Sequence, residues 1–313
     1  MGTTIGIDVG GTKIAGAVVD DAGRLGQRLS VPTPISDTET LLAAIAGAVQ
    51  QLRTDRVDAV GISVAGFVDA TRSSVYFAPN LPLIDVELRA ELSRRTGLPT
   101  VIENDGNAAA WAEYRFGAAR GSEQVILVAV GTGVGGGLVL GGRLQRGGHG
   151  VAGEIGHLEL VPGGLPCGCG RTGCLEQYAS GSALQRSARA AVVADPVAGA
   201  ALLAAAGGDP NALLGPQVTA AAAGGDALAM GLVAELGRLL GEGIADLVAI
   251  LDPEVIVLGG GVAESGDLLV DAVRAGLAGH LTGAGHRPVG AIRAALLGNA
   301  AAILGVADLA RQP

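Results

Sequence analysis

The chain has 313 residues, 49% hydrophobic and 16% charged, a composition that buries a sizeable core and excludes an intrinsically disordered chain. Lys and Arg number 21 against 30 Asp and Glu, and the resulting formal charge of −9 argues against nucleic acid as a main partner. Phosphate ligands stay open, because backbone N–H groups and a magnesium ion hold phosphates inside acidic proteins.

Met1 to Gly6 shows neither a basic n-region nor an apolar h-region, and Gly6 breaks the myristoylation pattern. The longest apolar run, Val125 to Leu140, is interrupted by Gly131, Gly133 and Gly135 to Gly137, so no membrane span is expected. A cytoplasmic location with no membrane partner is the expectation.

Thr4 to Val9, Ile14 to Val19 and Gln27 to Val31 read as a three-stranded meander, with Gly10-Gly11-Thr12 and Asp20-Asp21-Ala22-Gly23 as its turns. Thr38 to Arg53 has helical spacing of Leu41, Leu42, Ile45, Val49 and Leu52. Val57 to Val64 is a buried strand, and Val86 to Thr96 a helix ending at Gly97. Val101-Ile102 leads as a strand into Glu103-Asn104-Asp105, and a helix over Asn107 to Tyr114 follows. Val125 to Val130 and Gly137 to Leu140 are strands around a second glycine turn. A shift of 121 positions lays Gly10 on Gly131 and Asp8 on Ala129, which suggests a duplicated α/β domain. Only the first copy keeps the acidic residue, which gives Asp8 a role beyond folding. Ser182 to Gly224 reads as helical, as do Leu228 to Ile250, Leu268 to Ala278 and Ala300 to Leu309; Val255 to Leu258 is a strand entering Gly259-Gly260-Gly261.

Asp8-Val9-Gly10-Gly11-Thr12-Lys13 places an acid, a glycine turn, a hydroxyl and a cation at one strand end. Such a turn lets N–H groups close on phosphate oxygens while the acid holds magnesium or its waters. An ordinary hairpin turn explains the same residues. The order of residues is not that of a Walker A loop. Gly131-Thr132-Gly133-Val134-Gly135-Gly136 matches G-x-G-x-x-G, but the dinucleotide fingerprint must open a helix and a strand is expected here. Asp8 to Lys13, Gly131 to Gly133 and Gly259 to Gly261 resemble the two phosphate loops and the adenosine loop of the ribonuclease-H-like, actin-like ATPase fold. The resemblance implies an α/β protein of two domains with a ligand cleft between them, closing over ATP and Mg²⁺. A small domain of residues 1–106 plus 299–313 would carry the first phosphate loop, and a large domain of 107–298 the remaining loops.

All three cysteines fall in Cys167-Gly168-Cys169-Gly170-Arg171-Thr172-Gly173-Cys174, an odd, tight cluster that makes a poor disulfide framework. With His157 they form a Cys₃His set, the tetrahedral arrangement structural zinc prefers; three free thiols are the plainer alternative. Glu154-Ile155-Gly156-His157 together with the cysteine loop and Leu175-Glu176 closely resembles the signature of the ROK family of repressors, unknown reading frames and sugar kinases. Val101 to Tyr114 and Glu176 to Gly181 are similar to the bacterial glucokinases of that family, actinobacterial ones included.

A hexose site needs carboxylates, an amide and an imidazole, which Asn104, Asp105, Glu154, His157 and Glu176 supply. The resemblance places Glu154 and His157 on the sugar hydroxyls, Glu176 nearby, Gly66 in a sugar-contacting loop and Asn80 close by. It implies phosphorylation of glucose at its 6-hydroxyl to give glucose 6-phosphate and ADP, with Asp105 as base, and homodimers or homotetramers. On the residues alone, Asn104 and Asp105 also serve as helix caps, and Glu154 and Glu176 as surface charges. Another hexose (fructose, N-acetylglucosamine or N-acetylmannosamine) or polyphosphate as donor is compatible with the same motifs. A sugar-sensing repressor would need a helix-turn-helix module ahead of Asp8, where no room remains.

Overall fold

Strand β1 (Thr3–Val9) is buried along most of its length because it pairs on both sides, antiparallel with β2 (Lys13–Val19) and parallel with β4 (Val57–Val64). This computed structural model describes residues 2–311; Met1, Gln312 and Pro313, placed in the small domain by the sequence reading, lie outside the described residues. Strand β3 (Leu25–Pro32) completes the expected meander on β2. Helix α1 (Thr38–Leu52) starts where the Asp37 carboxylate accepts from the Thr40 N–H, and it buries Leu41, Ile45, Val49 and Leu52. Helix α1 and the first sheet share one core that includes Ile5, Ile7, Ile14, Leu41, Ile45 and Ile62.

Residues between β4 and the next helix form a small sheet absent from the sequence reading: β5 (Phe67–Val68), β6 (Val75–Ala78) and β7 (Leu83–Val86). Val86 therefore ends a strand, and α2 (Leu88–Thr96) begins after it and stops at Gly97, whose φ of 67° is left-handed. Strand β8 (Thr100–Asn104) pairs parallel with β4 and feeds α3 (Asp105–Phe116). The first sheet thus has the order β3-β2-β1-β4-β8.

The second half repeats this order. Strands β9 (Gln124–Val130), β10 (Val134–Leu140), β11 (Arg143–Gln145), β12 (Val255–Gly259) and β13 (Ala291–Ala294) form a sheet ordered β11-β10-β9-β12-β13. Strands β9, β12 and β13 are parallel, as β1, β4 and β8 are. The duplication expected from the glycine turns is therefore one of whole sheets. Between β11 and β12 lie α4 (Glu176–Ala179), α5 (Gly181–Ala194), α6 (Ala200–Ala205), α7 (Gly215–Ala223) and α8 (Ala227–Leu251). The Ala- and Gly-rich stretch is helical but broken, because Pro196 and Pro210 lack the amide donors a continuous helix needs. Helix α9 (Asp267–His280) precedes β13, and α10 (Ala301–Leu309) closes the order.

The chain divides into two compact units. The first holds the residues up to Glu123, then Gly137–Gly153, and the chain from Leu296 onward; the second holds Gln124–Gly136 and Glu154–Ala295. In the first unit α10 lies directly on the sheet. A Cβ on Gly6 would sit 2.1 Å from the Ile303 carbonyl oxygen, and one on Gly61 2.0 Å from that of Val306. Only glycine allows so close an approach of helix and strand backbones. The Thr4 hydroxyl adds a hydrogen bond to the Ala307 carbonyl. Among the described residues, no helix is long and apolar enough to cross a membrane.

Candidate active site

The predicted residues fall into two groups, one in each unit. In the first unit they gather at the carboxyl ends of β1, β4 and β8, where open α/β sheets bind ligands. Asp8 pairs in register with Ser63, and Ser63 with Glu103, so three polar residues form a row across three parallel strands. The fully buried Ser63 hydroxyl donates to Asp8 Oδ1 at 2.6 Å. Burial pushes the Asp8 carboxyl above the ordinary range, while Ser63 and the charge of Lys13 pull it back.

Gly10 to Lys13 is a hairpin turn, closed by the Gly10 N–H on the Lys13 carbonyl at 3.1 Å. Thr33 braces it from β3's end: its N–H donates to the Thr12 carbonyl and its hydroxyl to the Gly10 carbonyl at 2.6 Å. Lys13 and Thr12 are exposed. Asn80 packs against this turn, its Cβ lying where a side chain on Gly11 would go.

Asn104 is the N-cap of α3, as the plainer reading held: its Oδ1 accepts from the Asn107 N–H at 3.0 Å. Its Nδ2 donates to the Gly66 carbonyl at 3.1 Å, so the cap also anchors the Gly66 loop. One N–H and one lone pair of the amide remain for a ligand. Asp105 opens α3, with Oδ1 accepting from the Gly106 N–H.

In the second unit Gly131 to Gly133 is a turn closed by the Gly131 N–H on the Gly133 carbonyl, and its carbonyls cap the start of α5 by accepting from Gly181 and Ser182. Gly260, with φ of 84°, lies against the end of β9, so a Cβ there would be 2.4 Å from the Val130 carbonyl oxygen. Gly259 to Gly261 therefore adjoins the Gly131 turn. The G-x-G-x-x-G residues enter β10 and open no helix, as their context predicted. Glu176 connects this turn to the cysteine loop: its Oε2 lies 2.6 Å from where a Gly133 Cβ would stand.

His157, Cys167, Cys169 and Cys174 bring one ligand atom each within 4.8 Å of one another. Cys169 and Cys174 sulfurs are 3.6 Å apart, and Cys167 Sγ is 3.7 Å from His157 Nδ1. A tetrahedron with Zn–S bonds of about 2.3 Å has edges of roughly 3.8 Å, so the set is sized for zinc. Charge agrees. Burial pushes the Cys167 thiol up to about 12 and also raises Cys174, while the Arg171 N–H lowers Cys169. The Cys167 thiol donates to Glu176 Oε1 at 3.0 Å, so Glu176 borders the cysteine set directly. Tyr178 pins the loop from outside the metal set, its hydroxyl accepting from the Leu165 N–H at 2.7 Å.

The His157 ring divides its two nitrogens. Nδ1 faces the sulfurs, and Nε2 points to Glu154, 3.9 Å from Oε2. Burial and the neighbouring Glu176 raise the Glu154 carboxyl, against the pull of His157.

Sequence reasoning missed Ser63, Thr33, Glu103, Arg146 and Tyr178. Two of these left a signal: Ser63 and Glu103 are polar residues inside otherwise apolar, buried strands.

Comparisons with known proteins place the whole chain beside sugar kinases. A glucokinase of Streptomyces coelicolor is 47% identical over 314 residues, covering 100% of this chain and 99% of that one. The crystal structure of a ROK family glucokinase from Streptomyces griseus, in complex with glucose and AMPPNP, superposes with a TM-score of 0.92 at 46% identity and full coverage of both chains. An N-acetylmannosamine kinase of Escherichia fergusonii is 38% identical over 262 residues, 83% of each chain. The fold is the two-domain, actin-like ATPase fold expected from the glycine turns. Residues 4–313 match the ROK family, and the chain belongs to it.

Proposed function

We propose that this protein is a glucokinase, transferring the γ-phosphoryl group of ATP to the 6-hydroxyl of glucose. The reading rests above all on full-length similarity, at 46% identity, to a kinase solved with glucose and an ATP analogue. The polar groups described above fit that chemistry.

In the reaction the sugar O6 attacks the γ-phosphorus, the O6–P bond forms, and the bond to the β-phosphate oxygen breaks. Asp105 accepts the O6 proton as the attack proceeds, and ADP leaves as the anion. Gly66, Asn80 and Asn104 are read as orienting the sugar, and Glu154, His157 and Glu176 as binding its hydroxyls. The turns Gly10 to Lys13 and Gly131 to Gly133, closed by the Gly10 and Gly131 N–H groups, hold the phosphates with their remaining N–H groups, and Gly259 to Gly261 hold the adenosine. Asp8 would hold Mg²⁺ or its waters, which neutralises charge on the transferring phosphoryl group. Zinc on His157, Cys167, Cys169 and Cys174 would supply rigidity alone, fixing His157 and Glu176 in one loop. Most of the acceleration comes from positioning and charge stabilisation.

The two units are read as the enzyme's two domains, with 107–123, 137–153 and 296–298 in the first instead of in the large domain of 107–298 expected from the sequence; the assembly is read as a homodimer or homotetramer, and the location as cytoplasmic. The kinship with an N-acetylmannosamine kinase supports an N-acetylated hexosamine as the second substrate reading. The test is a coupled assay of ADP release with ATP and Mg²⁺, presenting glucose, fructose, mannose, N-acetylglucosamine and N-acetylmannosamine. The highest kcat/KM is expected for glucose. A higher value for another sugar overturns the substrate, and no turnover with any sugar overturns the kinase reading.

A further inference from the structure

Glu103 is a carboxylate that the reaction does not use, yet it is 1% exposed and immediately precedes Asn104 and Asp105. A buried carboxylate is retained only where it is paired and hydrogen-bonded. Its Oε2 accepts from Arg146 Nε at 2.5 Å. Its Oε1 accepts from the Asn104 N–H and from Asn107 Nδ2, both at 3.1 Å. These donors belong to the cap and first turn of the helix that Asp105 opens. The carboxylate also sets the Asn107 amide: Nδ2 faces Glu103, while Oδ1 is buried with no hydrogen-bond partner among the described residues. An amide free to choose would satisfy that acceptor, so Glu103 dominates the local geometry.

Arg146 lies in the segment after β11, where its carbonyl accepts from the Ala152 N–H and closes the loop ahead of Glu154. Along the sheet, Glu103 stands in register with Ser63, and Ser63 holds Asp8. One polar row therefore runs from the acid of the first phosphate turn to the strand end that carries the base.

We infer that Glu103, held by Arg146, is a positioning residue for the kinase reaction: it fixes the Asn104–Asp105 turn so that the Asp105 carboxylate meets the sugar hydroxyl. This rests on Asp105 being the base. Misplacement of a reacting group by about 1 Å costs roughly a hundred-fold in rate, whereas groups that only bind substrate move KM. The arrangement therefore predicts a loss in kcat.

The variants are Glu103→Gln, Arg146→Gln, the double variant and Asp105→Ala, each assayed by steady-state kinetics with zinc content and melting temperature measured alongside. The amide introduced by Glu103→Gln would turn an N–H toward Arg146 or toward the Asn104 and Asn107 donors, and Arg72, whose charge Glu103 also offsets, would lose that partner. Glu103→Gln is expected to lower kcat about ten- to a hundred-fold, with KM for ATP held within about two-fold. The double variant is expected to be no slower than Glu103→Gln alone, because the pair acts as a unit. Should Glu103→Gln fail to fold, the double variant, which removes both charges of the buried pair together, carries the same expectation. A kcat within about two-fold of the parent, a loss confined to KM, or losses that multiply in the double variant each overturn the inference. The Asp105→Ala arm separates the two levels. Full activity there overturns the base assignment itself, whereas an inactive Asp105→Ala beside a normal Glu103→Gln overturns only the positioning role.

Discussion

Ser63→Ala isolates the hydrogen bond between β4 and the first phosphate turn. The hydroxyl is fully buried and donates to Asp8 Oδ1 at 2.6 Å. Removing it leaves a void smaller than a methyl group, so packing is nearly unchanged. The loss is that of a hydrogen bond to a charged group, about 1.5–3 kcal/mol. If Asp8 is realised fully in binding MgATP at the transition state, kcat/KM for ATP falls roughly ten- to 150-fold, at 1.36 kcal/mol per decade. KM for glucose should hold, since Ser63 touches none of the sugar group. The assay varies ATP at saturating glucose and excess Mg²⁺, with thermal melting as the control. A loss of 1 kcal/mol moves the melting temperature of a 313-residue chain by about 1.5 °C, so a cooperative melt within a few degrees of the parent's marks a folded variant. A folded Ser63→Ala protein with kcat/KM for ATP within about two-fold of the parent would falsify the argument that Ser63 orients Asp8 for the nucleotide.

Asp105→Ala should abolish sugar phosphorylation while calorimetry still detects ATP binding; substantial residual turnover removes Asp105 from its role. Cys169→Ser should lose the zinc, read by elemental analysis, and weaken glucose binding through His157 and Glu176, and a metal-free variant with full activity sinks the structural-zinc reading. Asp8→Asn should stabilise the metal-free protein at neutral pH while impairing catalysis. Burial raises the folded-state pKa of Asp8 above its unfolded value, so its ionisation removes stability as pH rises through the folded value. Asparagine never ionises, so its advantage should vanish below the unfolded pKa of a carboxyl, about 3.9, and equal melting curves at all pH values would contradict this. Glu113→Ala should destabilise by about 3 kcal/mol or more in denaturant melts, because its buried carboxylate accepts from the N–H groups of Ala118, Leu296 and Leu297. A change under about 1 kcal/mol would mean that water replaces it.

Much of this molecule was legible in the sequence because its signals are local. Strand periodicity fixed β1, β4 and β9 to within a residue or two, and the glycine turns revealed the duplication that the two sheet orders then displayed in full. The cysteine loop was legible because its ligands lie within eight residues of one another, with His157 ten residues upstream of Cys167. What escaped depends on partners distant in the chain. Ser63 acts on Asp8 across 55 residues and Arg146 on Glu103 across 43, and no spacing rule links them until the sheet register does. The β5–β7 sheet escaped because strands of two to four residues are too short for a period to register. For Asn104 the sequence offers both a cap and a ligand role; the structure shows the cap and a bond to Gly66, which leave one N–H and one lone pair of the amide for the other.

The contact of α10 with Gly6 and Gly61 bears on how the protein comes into being on the ribosome. The first unit contains the earliest strand and the latest helix of the described chain, so its sheet lacks one of its covering helices while the second unit is being made. The second unit is nearly continuous from Glu154 to Ala295 and can assemble first, reversing the usual order in which amino-terminal domains fold ahead. A chain ending before Ala301 would therefore leave the strand backbone at Gly6 and Gly61 without the helix that covers it, although α10 contributes no residue to the reaction.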